Sequence, residues 1–332
     1  MDKGFDLVVC KFSSWFHLVS ILSYLEGLNT RPATVVFFQD SFMGRRAPVD
    51  ESVLVNCADN VFFFTSFKEL DGFFCAEVGL DKASATRIAL VTPSKRPYRF
   101  YRLLKKYSSN VSFTLTEEGL GSYGGILQDV RACVREDLGG SLMPLAVKYM
   151  VASILIVGLD LYFSLGKRRG EVFFLFDRAL VINEDVKSRY LKIIQRLVPE
   201  NYIFLRGQSF VLVLTPPVVE LGVLSKDEFL ICLSELRDSC QMDGEFVIKP
   251  HPVEEFEKYS GLSVLPAGIP AEWVLTRCSD QISGVVTPSS TSAYLAKALF
   301  GREVVRFAGF DPLYNTLSRR QQRLVSSGRL WQ

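Results

Sequence analysis

SFVLVLTPPVVELGVLSKDEFLICLSELRDSCQMDGEFVIKP, residues 209–250, decides the architecture. An apolar run, SFVLVLTPP (209–217), stops at two prolines. A helical pattern, KDEFLICLSELRDSC (226–240), comes next, and a second apolar run, EFVIKP (245–250), follows it. Near-continuous apolar strands joined through a helix belong to a mainly parallel sheet covered on both faces. Beyond residue 250 the pattern continues with a helix near 270–278, the strand SGVVT (283–287) and the helix STSAYLAKALF (290–300).

The first part of the chain repeats this alternation. FDLVVC (5–10), ATVVFF (33–38), SVLVNC (52–57), NVFFFT (60–65), RIALVT (87–92) and VSFTLT (111–116) read as strands. WFHLVSILSYLEG (15–27) and PYRFYRLLKKYSS (97–109) read as helices between them. Residues 126–170 read as helical and irregular, before a strand EVFFLFD (171–177) and a helix around 185–197. The expectation is an α/β protein of two similar halves, 1–205 and 206–332. Facing each other, they would form a cleft at the carboxyl ends of their strands, where ligands of such sheets bind.

Composition agrees with two cores. The chain has 332 residues, 48% hydrophobic and 22% charged, with a net charge of +2. So small a charge gives no electrostatic case for nucleic acid. Seven cysteines without a CxxC read as buried apolar residues of a reducing compartment. The N-terminal apolar run is too short for a signal peptide, and a cytoplasmic location is expected. MVASILIVGLDLYFSL (150–165) is markedly apolar but interrupted by Asp160, and reads as a buried core or domain-bridging helix. The stretch from Leu313 to Gln332 has four arginines and no acidic residue. It reads either as a solvated helix packed on the first domain or as a basic element touching anionic lipid. The second reading makes peripheral contact with the cytoplasmic face of an inner membrane an expectation.

Three motifs fall where strands end. TEEGLGSYGG (116–125) has two glutamates and then four glycines within seven residues. Glycines permit a sharp turn and close ligand approach, and a carboxylate there is either a general base or a solvated surface group. In KPHP (249–252) two prolines hold Lys249 and His251 toward extended conformations, so the imidazole has a defined direction. It is either a rigid structural histidine or a donor to a phosphate leaving group. VVTPSSTSAYLAKALF (285–300) opens a helix with hydroxyls, which suit a phosphate or an ordinary N-cap. There is no Asp-x-Asp, Walker A loop, strand-linked GxGxxG, GxSxG or Cys/His zinc spacing, so no metal site is evident.

An acidic pair followed by glycine, a His-Pro dipeptide and a Ser/Thr pair, in that order, resemble the motifs of bacterial sialyltransferases and polysialyltransferases. Here these are Glu117-Glu118-Gly119, His251-Pro252, and Ser289-Ser290 or Ser290-Thr291. GIPAEWVL (268–275) carries Glu272 where that group places a glutamate for the donor ribose, and VVCKFSSWFHLVSILSYLEG (8–27) resembles its opening strand, loop and helix. The Glu-Glu pair departs from pairs that contain aspartate.

The resemblance implies a GT-B fold of two Rossmann-like domains and inverting, metal-independent transfer from CMP-sialic acid to a surface-glycan hydroxyl, with no cofactor. It assigns Glu117 as general base with Glu118 as the alternative, and His251 to the departing phosphate. Ser289, Ser290 and Thr291 would hold that phosphate, Glu272 the ribose, and Lys249 with Pro250 the cytosine. The partners expected are a CMP-sugar donor and a glycan acceptor of lipooligosaccharide or capsule type. Alternatives are another CMP-sugar (CMP-Kdo or CMP-pseudaminic acid) or a non-catalytic nucleotide- or glycan-binding partner of a surface-glycan machine.

Overall fold

The computed structural model describes residues 6–41, 46, 49, 51–77, 86–117, 126–136, 141–165, 169–176, 181–198, 209–220, 222–240, 242–266, 269–287, 291–302 and 304–306. The chain forms two compact units, Met1–Phe42 with Pro48–Leu175, and Met43–Ala47 with Phe176–Gln332.

The first unit is built on a parallel sheet. Its strands are β1 (Leu7–Phe12), β2 (Thr34–Gln39), β3 (Asn60–Phe64), β4 (Ile88–Thr92), β5 (Val111–Thr116) and β6 (Arg169–Phe173), in the order β3-β2-β1-β4-β5-β6. Every pairing is parallel. That order is the doubly wound one, with its switch point between β1 and β4. The strands are apolar on both faces because both faces are covered: Val8, Val9, Cys10 and Phe12 of β1 are fully buried. Helix α1 (Trp15–Glu26) starts at Ser14, whose hydroxyl accepts the His17 N–H. Tyr24 of α1 shares a hydrogen bond with Thr114 of β5. Helices α2 (Phe67–Glu77) and α3 (Tyr98–Leu104) bring Phe74 and Phe100 onto a core with Phe38, Leu90 and Phe113.

Two expectations fail in this unit. SVLVNC (52–57) is not a strand but lies in a 3-10 helix, Glu51–Cys57, in which only Leu54 is buried. The position beside β2 is filled by β3, the strand that follows this segment. The apolar segment from 150 lies in α5 (Leu145–Leu165), which follows α4 (Ile126–Glu136). It is not a buried core helix: Ala152 and Ile156 pack on Val130 and Val134 of α4, and Phe163 reaches the sheet core, but the opposite face is exposed. Arg96 clamps the pair, donating to Asp129 of α4 at 2.9 Å and to Asp160 of α5 at 2.8 Å.

The second unit carries β7 (Phe210–Leu214), β8 (Glu245–Lys249), β9 (Ser263–Val264), β10 (Ile282–Thr287) and β11 (Val304–Arg306), ordered β11-β10-β7-β8-β9 and all parallel. Its switch point lies between β7 and β10. Helices α6 (Glu184–Leu197), α7 (Lys226–Ser239), α8 (Ala271–Arg277) and α9 (Thr291–Phe300) accompany the sheet. Ser225 and Glu228 form a capping box at the start of α7. Gly244, at φ +122°, makes the turn into β8, and a side chain there would meet the Ser209 carbonyl at 2.7 Å. The units divide at Leu175/Phe176 rather than near 205, because α6 packs on α8 and α9 and Arg277 donates to the Val198 carbonyl at 2.8 Å. The two short strands β9 and β11 were not anticipated. Of the cysteines, Cys10 and Cys278 are buried as expected, whereas Cys75 is exposed.

Candidate active site

Strand β8 ends in Lys249, which is buried with its ammonium donating to the Pro250 carbonyl. Burial pushes that ammonium down to about 8, against the opposing pull of the Glu272 and Glu254 charges. Glu272 stands in the first turn of α8 and is equally buried. Burial pushes its carboxyl above the usual range, while its own backbone N–H, Lys249 and a hydrogen bond from Ser292 pull it back. Ser292 is in the first turn of α9. The carboxyl end of this sheet thus gathers one buried cation, one buried carboxylate and one hydroxyl from three elements.

His251 follows two residues after β8. Its backbone N–H donates to Oε2 of Glu254, and its ring Nδ1 faces the Val253 N–H at 3.4 Å. With Nδ1 accepting, the proton of the neutral ring belongs on Nε2. Burial and then the Lys249 charge push the imidazole down to about 4; Glu220 draws it back and Lys258 lowers it further. At neutral pH it is therefore an uncharged hydrogen-bond donor, not an imidazolium.

Beneath this turn lies an ionic network that the sequence did not reveal. Glu254, 1% exposed, accepts from Thr215 Oγ1 at 2.7 Å, Lys258 Nζ at 2.7 Å and Tyr259 Oη at 2.8 Å, besides the His251 N–H. Lys258, also buried, reaches Glu220 at 2.9 Å. The Glu220 carboxyl ends below its usual range, because the Glu255 N–H and Lys258 outweigh the opposing effect of burial. Thr215 directly follows β7, so Glu254 ties the His-Pro turn to the neighbouring strand end. The Glu254/Lys258 spacing of four residues was the one available sequence signal, and it is indistinguishable from a surface pair without knowledge of burial.

Glu117, in the first unit, directly follows β5. It is fully buried; its N–H donates to Ser20 Oγ at 3.0 Å, and its Oε2 accepts the Leu175 N–H at 2.7 Å. The carboxylate therefore joins the ends of β5 and β6. At the β1 end, Ser13 Oγ lies 3.1 Å from Nδ1 of His17, the second histidine, which was not singled out from the sequence.

Of the residues picked out in the sequence, Lys249, Pro250, His251 and Glu272 come together in the second unit. Thr291 opens α9 beside Ser292. Glu118, Ser289 and Ser290 lie outside the described residues. Among the described residues, no three His, Cys, Asp or Glu side chains gather as a metal ion would need.

No protein-family model and no curated protein sequence matches the chain. Solved structures do. An α/β-galactoside α-2,3-sialyltransferase from Photobacterium phosphoreum aligns over 99% of this chain and 99% of its own, with a TM-score of 0.51 and 11% identity. The fold is of the GT-B type. A UDP-GlcNAc 2-epimerase from Methanocaldococcus jannaschii aligns over 98% of this chain and 88% of its own, with a TM-score of 0.48 and 12% identity.

Proposed function

We propose that the chain is a sugar-nucleotide enzyme, and specifically an inverting glycosyltransferase that moves sialic acid from CMP-sialic acid to a hydroxyl of a bacterial surface glycan. The observation that carries this reading is the buried group Lys249, His251 and Glu272 at the carboxyl end of the second sheet. These are the residues that the family resemblance assigns to the donor. In this proposal Glu272 holds the ribose hydroxyls, and Lys249 with Pro250 borders the cytosine. Nε2–H of His251 donates to the phosphate as it departs. The hydroxyls of Ser289, Ser290 and Thr291 hold the same phosphate.

The neutral state of His251 sharpens its role. A neutral imidazole placed in advance stabilises charge developing on the leaving phosphate without first losing a proton to water. A phosphate beside it favours the protonated form, so the ring can also deliver a proton late in bond cleavage. The general base is assigned to the acidic pair. Glu117 is the residue the resemblance names, with Glu118 as the alternative. The reaction as proposed needs no metal and no cofactor, and takes place in the cytoplasm.

Nucleotide selectivity tests the reading. CMP should raise the unfolding temperature of the purified chain in EDTA, UMP should do so much less, and Glu272→Ala should abolish the CMP effect. Equal responses to both nucleotides, or a response unchanged in Glu272→Ala, would remove the donor assignment.

A further inference from the structure

The outer face of α5 is apolar and exposed among the described residues. Met150, Ile154, Val157 and Leu161 follow one another at helical spacing along it, and their exposures run from 43% at Val157 to 66% at Ile154. Leu145 and the preceding Leu142 continue the surface, at 65% and 104%. Soluble monomers rarely leave a contiguous apolar surface of more than a few hundred Å² in water. The Leu145–Phe163 stretch is long and apolar enough to cross a membrane, and its buried residues are Ala152, Ile156 and Phe163.

The inner face is committed to the first unit. Ala152 and Ile156 pack on Val130 and Val134, Phe163 stacks edge-on against Tyr101 and Phe113, and Asp160 is paired with the Arg96 guanidinium. Withdrawing α5 to cross a bilayer would break that pair and carry the Asp160 carboxylate into hydrocarbon without its partner. The helix can lie on a membrane but cannot leave the sheet to span one.

Charge selects the occupant. From Leu138 to Gly170 the chain has one acidic residue, Asp160, and it is already neutralised by Arg96. The basic residues of the same stretch are Lys148, Lys167, Arg168 and Arg169, the last three directly after α5. An apolar strip with no unpaired carboxylate, followed by a basic triplet, complements the headgroups and upper acyl chains of an anionic bilayer. A second copy of the chain fits less well. Two crossing helices cover only the side chains near their crossing point, short of the ~800 Å² per partner of a stable interface. A bilayer covers the whole ~30 Å of the helix.

We propose that the outer face of α5, from Leu142 to Leu161, docks on an anionic lipid bilayer. The proposal does not depend on the reaction assigned above. Co-sedimentation of the full chain with phosphatidylcholine vesicles, with and without phosphatidylglycerol, tests it at low and high salt. Binding should require phosphatidylglycerol and weaken with salt, and Ile154→Asp and Leu161→Asp should each reduce it roughly tenfold or more. Both side chains face water, so the unfolding transitions of the variants should match the parent's. No binding of the parent to anionic vesicles, or undiminished binding of both variants, would overturn the proposal. A parent that is dimeric in light scattering, and that Ile154→Asp makes monomeric, would overturn it in favour of a second copy.

Discussion

Glu254→Ala is the most informative single substitution in the second unit. The carboxylate is 1% exposed and accepts from four donors, Thr215, His251, Lys258 and Tyr259. Removing it leaves Lys258 with Glu220 as its remaining charge partner and leaves three neutral donors to find new acceptors. Breaking one side of a buried ion pair costs about 3–5 kcal/mol. Thr215 and Tyr259 lie 2.9 Å apart, so one hydroxyl can donate to the other, and the orphaned His251 N–H and the remaining hydroxyl add about 1 kcal/mol or more for each that water fails to reach. Whole domains are stable by only about 5–15 kcal/mol, so the second unit should be close to unfolding. Glu254→Gln keeps the volume and one acceptor oxygen, and should cost about 1–3 kcal/mol. Urea titrations of both variants, followed by circular dichroism and tryptophan fluorescence, measure the difference. A loss below about 1 kcal/mol in Glu254→Ala would refute the idea that this network holds the His-Pro turn.

Three further outcomes are expected. Because folded His251 is depressed to about 4 from 6.5, the unfolded chain binds the extra proton between those values; stability should fall as pH drops through that window, by up to about 3 kcal/mol, and His251→Phe should flatten the profile. Glu117→Ala strands the buried Leu175 N–H and should cost about 1–3 kcal/mol in urea titration, while Glu117→Gln, which keeps an acceptor, should cost less; equal losses would show that the bond contributes nothing. Gly244→Ala forces both a positive φ and contact with the Ser209 carbonyl, and should lower the second unit's stability by about 1–3 kcal/mol; an unchanged midpoint would mean the turn into β8 rearranges freely.

The sequence made the alternation legible because buried parallel strands are written as runs. VSFTLT matches β5 at both ends, and KDEFLICLSELRDSC differs from α7 by a residue. It misled at SVLVNC, where an apolar run forms a 3-10 helix that buries only Leu54, and at the apolar α5, where hydrophobicity was taken for burial. Composition cannot distinguish a helix hidden in a core from one with an exposed apolar face. The unit boundary was displaced because the loyalty of α6 depends on tertiary packing against α8 and α9. The KPHP turn stood out because prolines and a strand end mark it, whereas Glu272 was picked out by the family resemblance. Glu254 and Lys258 were not, since a buried charge network has the same letters as a solvated one.

Transfer itself tests the central claim most directly. The purified chain would be incubated in EDTA with CMP-sialic acid and galactose- or sialic-acid-terminated glycans, and the acceptor mass followed. The account predicts a mass gain of one or more sialic acid residues with matching release of CMP, lost in His251→Ala while the unfolding transition of the first unit persists. Intact donor and unchanged acceptors with the parent chain, or undiminished transfer by His251→Ala, would contradict it.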